Sequence, residues 1–370
     1  MTPQARVQAA IELLDAIISA ARQGGAAADT LIARYFATRR YAGSKDRRAV
    51  RELVYRAIRR AGEIPSSGRA AMVGVAREDA ALASLFDGSP HGPAPIGDEP
   101  AASAGVLPAW LEPHIADSSG LLDRAPLDLR VNRLKASREA VLALFSGSVP
   151  TPLSPDGVRL AEPVPLAEDG RYEVQDEGSQ LIALATEARA GMTVVDLCAG
   201  AGGKTLALAA MMENRGRLIA SDADRARLSR LSPRAERAGA TIIETRLLDG
   251  GREAEALADI AADVVLVDAP CSGTGTWRRN PEARWRLTPD RLERLVALQA
   301  HLFRVGGALV RPGGLLVYAV CSLIAEEGEA QVARFLAEQP GWTLEGPTRL
   351  LSPARDGTDG FFIARLRAAC

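Results

Sequence analysis

Two four-residue segments fifty residues apart hold side chains able to do covalent chemistry: Asp268-Ala269-Pro270-Cys271 and Ala319-Val320-Cys321-Ser322. Each follows an apolar run of the kind that forms a buried parallel strand. Each cysteine therefore falls at a strand's C-terminal end, the edge at which open α/β sheets bind ligands. The chain has only four cysteines in 370 residues, so two at such points are informative. A thiolate beside a carboxylate points to covalent catalysis, because the thiolate is the attacking species.

A third segment, Asp196-Leu197-Cys198-Ala199-Gly200-Ala201-Gly202-Gly203-Lys204-Thr205, joins an apolar run to a helical pattern. Its small residues let backbone N–H groups approach a ligand, and the helix start favours negative charge. Gly203-Lys204-Thr205 imitates the end of a phosphate-binding P-loop. That motif needs a glycine five residues earlier, where Cys198 stands, and no second magnesium carboxylate compensates. Asp222 ends the next apolar run, at the distance from the glycine turn where an acid grips ribose hydroxyls. Asp249 follows the third run, where an adenine edge could be read. This combination suits NAD or S-adenosylmethionine. Lys204 and Thr205 follow Gly203 directly, so the loop is not Gly-x-Gly-x-x-Gly and a dinucleotide is disfavoured.

The elements that must position these residues alternate regularly from about residue 178. Strands are predicted at 193–197, 217–221, 241–245, 263–268 and 314–320, with late candidates at 342–344 and 361–366. Helices lie between them, so a doubly wound parallel sheet is expected. Upstream, residues 127–132 alternate like a strand, 137–144 read as a helix, and 158–160 and 172–174 as short strands, making a small mixed module. The first 60 residues are helical in pattern: Val7, Ile11, Leu14, Ile17 and Ile18 share one face, a Gly24-Gly25 break follows, and a second helix covers about 30–38. Ser44 or Asp46 is the expected cap of the helix carrying Val50, Leu53, Val54 and Ile58. Helices continue to about residue 84, and the Pro/Gly-rich stretch 88–95 reads as a connector. The expected division is 1–122, 123–176 and 177–370.

Composition narrows the class. Apolar residues make up 47% and charged residues 25%, an ordinary globular balance. No apolar run is long enough for a membrane span, and the N-terminus lacks a secretory signal pattern. Four unevenly spaced cysteines and three scattered histidines give neither a disulfide framework nor zinc spacing, so a reducing cytoplasm and no metal are expected. The net charge of -1 hides an uneven distribution: residues 1–60 carry twelve Arg or Lys against five Asp or Glu. A basic module of this kind fits a polyanionic partner, with a solvated helical surface as the competing reading.

Together these blocks resemble the Sun-type (Fmu-type, RsmB-like) RNA cytosine-5-methyltransferases. The similarity rests on the Asp-x-Cys-Ala-Gly-x-Gly-Gly-Lys-Thr loop, the Asp-Ala-Pro-Cys-Ser-Gly-x-Gly block, Arg278-Arg279-Asn280-Pro281 after it, and Tyr318-Ala319-Val320-Cys321-Ser322. Asp359-Gly360-Phe361-Phe362-Ile363-Ala364 is similar to the family's closing strand, and the likeness covers roughly residues 127–366. The segment Arg40-Tyr41-Ala42-Gly43-Ser44-Lys45-Asp46-Arg47-Arg48 more loosely resembles the NusB-like RNA-binding domain of bacterial ribosomal-RNA members.

The resemblance implies a Rossmann-type class I methyltransferase domain behind an all-α NusB-like domain and a small RNA-facing α/β module. It also implies S-adenosyl-L-methionine as cofactor and RNA, most often ribosomal, as partner; a monomer is favoured. Cytosine C5 is a poor nucleophile until a thiolate adds at C6. The family gives that role to the cysteine of the later motif, here Cys321, and links the earlier one, Cys271, to product release. Asp268 would hydrogen-bond the cytosine edge, and Lys204 would reach base or cofactor. Cys198, Ala199, Gly200, Gly202, Gly203, Lys204, Asp222, Arg227, Asp249, Asp268 and Pro270 are expected around the cofactor, although Cys198 also reads as a packed core thiol. Arg130, Asn132, Arg278 and Arg279 are expected on RNA. Arg284 and Arg286, with Trp277 and Trp285 between, belong to the same candidate stretch, against a plain surface loop as the competing reading. One departure is Val320, where the family usually has threonine; a tuned activity is expected. A transfer-RNA substrate and a non-catalytic RNA-binding assembly factor are the alternatives.

Overall fold

A computed structural model describes residues 1–370, the side chain of Ala254 excepted. The chain divides into two compact units rather than three. One is Met1–Asp123 with Thr276–Pro289, the other Arg124–Gly275 with Asp290–Cys370. The small α/β module therefore shares a unit with the catalytic sheet, and the segment after the Pro-Cys motif is counted with the helices.

The helical unit contains α1 (Pro3–Gln23), α2 (Ala28–Ala37), α3 (Ser44–Arg60), α4 (Gly68–Ala76) and α5 (Ala80–Ala83). Helix α1 starts at Pro3, whose missing N–H costs nothing there, with the Thr2 hydroxyl accepting from the Ala5 N–H. It stops at Gly24, which takes the left-handed conformation. Val7, Leu14, Ile17, Val50, Val54, Ile58 and Met72 close the core between these helices. Gly43 caps α3, and Asp46 reaches back to the Gly43 N–H. Asp46 also accepts from the N-terminal ammonium at 3.1 Å and from Arg6.

Within this unit, residues 276–289 are structural. Trp285 packs in the core and donates through Nε1 to the Ala61 carbonyl at 3.0 Å. Arg284 is fully buried and donates to the carbonyls of Ile58, Arg59 and Ala61, satisfying the open end of α3. Burial pushes its guanidinium down to about 10. Arg286 donates to the Gly25 and Ala26 carbonyls. Replacing Arg284 with alanine would orphan two buried carbonyls and leave a cavity. We expect a loss of about 3 kcal/mol and a fall of roughly 10 °C in the unit's melting transition, read by calorimetry.

In the second unit, β1 (Leu127–Val131), α6 (Arg138–Leu142), β2 (Val149–Pro150), β3 (Gly157–Leu160) and β4 (Tyr172–Val174) form a four-stranded antiparallel sheet ordered β2-β3-β1-β4 over one short helix. Leu129, Val131, Val141, Val158 and Tyr172 make its core.

The main sheet begins after α7 (Glu177–Ala185). Its elements are β5 (Thr193–Asp196), α8 (Gly203–Met211), β6 (Arg217–Asp222), α9 (Arg225–Leu228), α10 (Leu231–Ala238), β7 (Ile243–Leu247), α11 (Glu253–Ala256), β8 (Ala262–Asp268), α12 (Pro289–Leu309) and β9 (Val310–Val320). Then come α13 (Glu329–Glu338), β10 (Trp342–Leu344), β11 (Arg349–Leu351), α14 (Pro353–Asp356) and β12 (Phe361–Ala368). The strand order is β10-β12-β9-β8-β5-β6-β7, with β11 beside β12. Strands β5 to β9 pair in parallel, whereas β10, β11 and β12 run antiparallel, so the expected all-parallel sheet carries an antiparallel edge. Period-two alternation splits the strand residues between two cores: Val194, Val264 and Leu266 face one, and Val195, Val265 and Val267 the other. Strand order reverses at β5, between β6 and β8, which opens a crevice at the strands' C-terminal ends.

Candidate active site

Four neighbouring strands end at that crevice in Asp196, Asp222, Asp268 and Val320, each followed by a functional turn. The turn after β5 is pinned by backbone bonds from Leu197 to Leu266 and from Ala199 to Ser221, both 2.9 Å. Gly200 and Gly202 have φ of +57° and +87°. A Cβ on Gly200 would meet the Arg227 guanidinium at 2.5 Å, and one on Gly202 the Leu231 side chain at 2.1 Å. Both positions thus need glycine for conformation and for space. Asp222 ties the loop to β6: one oxygen accepts from the Gly200 N–H and the other from the Asp224 N–H, each at 2.7 Å.

Asp196 is buried, and burial pushes its carboxyl up to about 7, against the Thr205 hydroxyl that donates to it at 2.7 Å. Its Oδ1 is enclosed with no partner. A carboxyl raised in the folded state gives stability that is complete below the ordinary carboxylate range and is lost as pH rises through about 7. In cofactor-free protein, Asp196→Asn should therefore gain stability relative to wild type between pH 5 and 8, by up to about 3 kcal/mol in denaturant titrations. A flat difference would show the carboxyl is not held neutral. Cys198 is likewise pushed up by burial and stays a thiol within the core.

The residues expected to be catalytic sit at the ends of α8, β8 and β9. Lys204, on the first turn of α8, donates to Asp268 Oδ2 at 2.6 Å. Burial works against the lysine's charge, but Asp268 prevails and holds the ammonium above its ordinary value. The sulfurs of Cys271 and Cys321 lie 3.3 Å apart. The hydrogen bond to Cys321 and burial push the Cys271 thiol well up, and either sulfur can be the donor in their contact. A thiol directed at a sulfur favours negative charge on that sulfur. Pro270 lies exposed at the rim, as does Asp249 beyond β7. Val320 is fully buried among the apolar residues of one sheet face, where a threonine hydroxyl would meet no solvent.

The expected RNA contacts need correction. Arg130 and Asn132 are buried. Arg130 donates to Gln175 at 2.6 Å and is lowered by burial to about 10, while Asn132 donates to the Gly170 and Ala238 carbonyls. Arg278 is also buried. Such groups hold the fold and cannot meet a phosphate without being drawn out. Arg279 is partly exposed. Conversely, sequence reasoning assigned no role to Glu327 and Gln299, and named Ser322 only as part of a motif. All three are wholly buried behind the two cysteines.

A family model described as 16S rRNA methyltransferase RsmB/F matches residues 182–367, half of the chain. The chain belongs to the RsmB/F family. A probable ribosomal RNA small subunit methyltransferase B from Bacillus subtilis is 31% identical over 70% of this chain and 66% of its own length. Another from Synechocystis is 35% identical over 66% of this chain and 60% of its own. The matched part of the chain thus spans slightly less than two thirds of these curated relatives. Among solved structures, PH0851 superposes over 99% of both chains with a TM-score of 0.77 at 24% identity, a likeness of fold. A methyltransferase homolog from Pyrococcus horikoshii covers 68% of this chain and 89% of its own at TM-score 0.61 and 27% identity.

The cofactor of the RsmB/F family is S-adenosyl-L-methionine, and the residues present fit it. Gly203 leaves open space at the start of α8, Asp222 stands at the β6 end where ribose is held, and the orphaned Asp196 Oδ1 offers an acceptor. Among the described residues, no helix is long and apolar enough to cross a membrane.

Proposed function

We propose that this protein methylates C5 of a cytosine in 16S ribosomal RNA through a covalent adduct between Cys321 and C6. The observation that carries this reading is the 3.3 Å contact between Cys271 and Cys321 at the crevice that also holds the Lys204–Asp268 pair. When bound, S-adenosyl-L-methionine supplies the electrophilic methyl group. Lys204, held charged by Asp268, and the glycine turn between β5 and α8 bind and orient at the crevice. The Cys321 thiolate adds to C6, and the electron pair moves onto C5. Asp268 accepts from the cytosine N4 amino group beside N3, and the Lys204 ammonium it holds supplies positive charge at the crevice as negative charge develops on the base. After transfer a base takes the C5 proton, the C5–C6 double bond re-forms, and Cys321 leaves as thiolate, with Cys271 serving the release. The cytosine must be unstacked, because C6 is out of reach inside a helix. The basic residues of α2 and α3 supply an RNA-facing charge, and relatives named for ribosomal RNA support that substrate.

Bisulfite sequencing of 16S ribosomal RNA incubated with the purified protein and S-adenosyl-L-methionine tests this. One protected cytosine is expected. Methyl incorporation into transfer RNA instead, or none into either RNA, would overturn it.

A further inference from the structure

We infer that Glu327 is a positioning residue that sets the spacing of the two cysteines by gripping the residue after each of them. Its side chain lies on the loop between β9 and α13 and is wholly buried. Oε1 accepts from the Ser272 backbone N–H at 2.8 Å and from Gln299 Nε2 at 2.9 Å. Oε2 accepts from the Ser322 hydroxyl at 2.5 Å and, in a very short bond, from the Ser272 hydroxyl.

Ser272 follows Cys271 and Ser322 follows Cys321, so one carboxylate spans two turns that are fifty residues apart in sequence. The other members of the network tighten the same grip. Gln299 also donates to the Pro270 carbonyl at 2.9 Å. Thr274 Oγ1 lies 3.1 Å from Ser322 Oγ and accepts from the Leu323 N–H. The Gly275 N–H donates to the Cys321 carbonyl, and the Tyr318 hydroxyl to the Glu327 carbonyl. Four donors converge on one carboxylate with no cation among them. Burying a charge in this way is costly unless every oxygen is hydrogen-bonded, as here. The strand ends alone leave each turn free to shift, whereas the carboxylate makes the two turns one body.

This inference rests on the methyltransferase reading only for its kinetic arm. Glu327→Gln keeps the shape but turns one acceptor into a donor facing other donors. Two measurements are expected to move. Diamide, which takes up two hydrogens as two S–H bonds become one S–S bond, should close the Cys271–Cys321 disulfide at least ~10-fold more slowly in the variant. For RNA methylation, kcat should fall by at least ~10-fold with KM within about twofold, a part of the ~100-fold that a 1 Å misplacement can cost. Adding Ser272→Ala and Ser322→Ala to Glu327→Gln should slow neither step further. Circular dichroism and melting confirm a folded variant, and if Glu327→Gln does not fold, Ser272→Ala with Ser322→Ala replaces it with the same expectation. Wild-type rates of both disulfide closure and methylation would overturn the inference. If the wild type itself methylates no RNA, the functional reading fails, and the diamide arm still decides the role of Glu327.

Discussion

Replacing Cys321 with alanine will abolish RNA methylation, by roughly four orders of magnitude or more, and with it any covalent protein–RNA adduct. Replacing Cys271 with alanine will instead let the adduct build up as a slow band on a denaturing gel. The two sulfurs are only 3.3 Å apart, yet their surroundings differ. The bond to Cys321 and burial push the Cys271 thiol well up, which disfavours it as the resting nucleophile. Cys321 acts on the charge of Lys204, and its carbonyl is held by the Gly275 N–H. Removing Cys271 slows addition by the loss of one hydrogen bond and blocks release, so the adduct outlives the reaction. The opposite pattern, an adduct in the Cys321 variant and none in the Cys271 variant, would exchange the roles.

The second large effect concerns Asp268. We expect Asp268→Asn to lower methylation by about 10²–10³-fold, the scale for removing one preorganised electrostatic partner. The same change should destabilise the protein near neutral pH. With Asp268 present, the Lys204 ammonium is held above its ordinary value despite its burial. A raised lysine contributes stability fully below its ordinary value, and that contribution is lost as pH rises through the folded value, in the alkaline range. Without Asp268, the main support for the charge is gone, burial outweighs the remaining neighbours, and the charge becomes a cost at pH 7. Both side chains keep some exposure, 14% and 24%, so about 1–3 kcal/mol is expected, below the 3–5 of a fully enclosed pair. Denaturant midpoints between pH 7 and 11 check this: the deficit should shrink as pH rises and Lys204→Met should remove its pH dependence.

Much of the catalytic half was readable because its strands are long, apolar and separated by glycine turns. The stretches Val194-Val195, Leu218-Ile219-Ala220, Val264-Val265-Leu266-Val267 and Leu315–Val320 are continuously apolar, as strands covered on both faces must be. The antiparallel edge was not legible, since alternation shows a strand but not its direction. The two-residue β2 and three-residue β11 are too short to carry any periodicity. The misread arginines share one cause. Arg130, Arg278 and Arg284 look like surface charge in sequence, and only the fold shows that carbonyls, amides and packing enclose them. Glu327 was hidden for the same reason, because a glutamate five residues past the nearest named motif gives no sign that it is buried.

Trp285 completes a hydrophobic core whose other fully buried members lie between Val7 and Phe86, and Arg284 bonds the carbonyls beneath it. During synthesis, the helices of Met1–Asp123 leave the ribosome long before those two side chains exist. About 160 residues of intervening chain take on the order of 8–30 s to make at bacterial rates. Until then the carbonyls at the end of α3 stay open and the unit waits half-closed. The N-terminal helices therefore cannot be swapped between relatives, or produced alone at full stability, without carrying residues 276–289 with them.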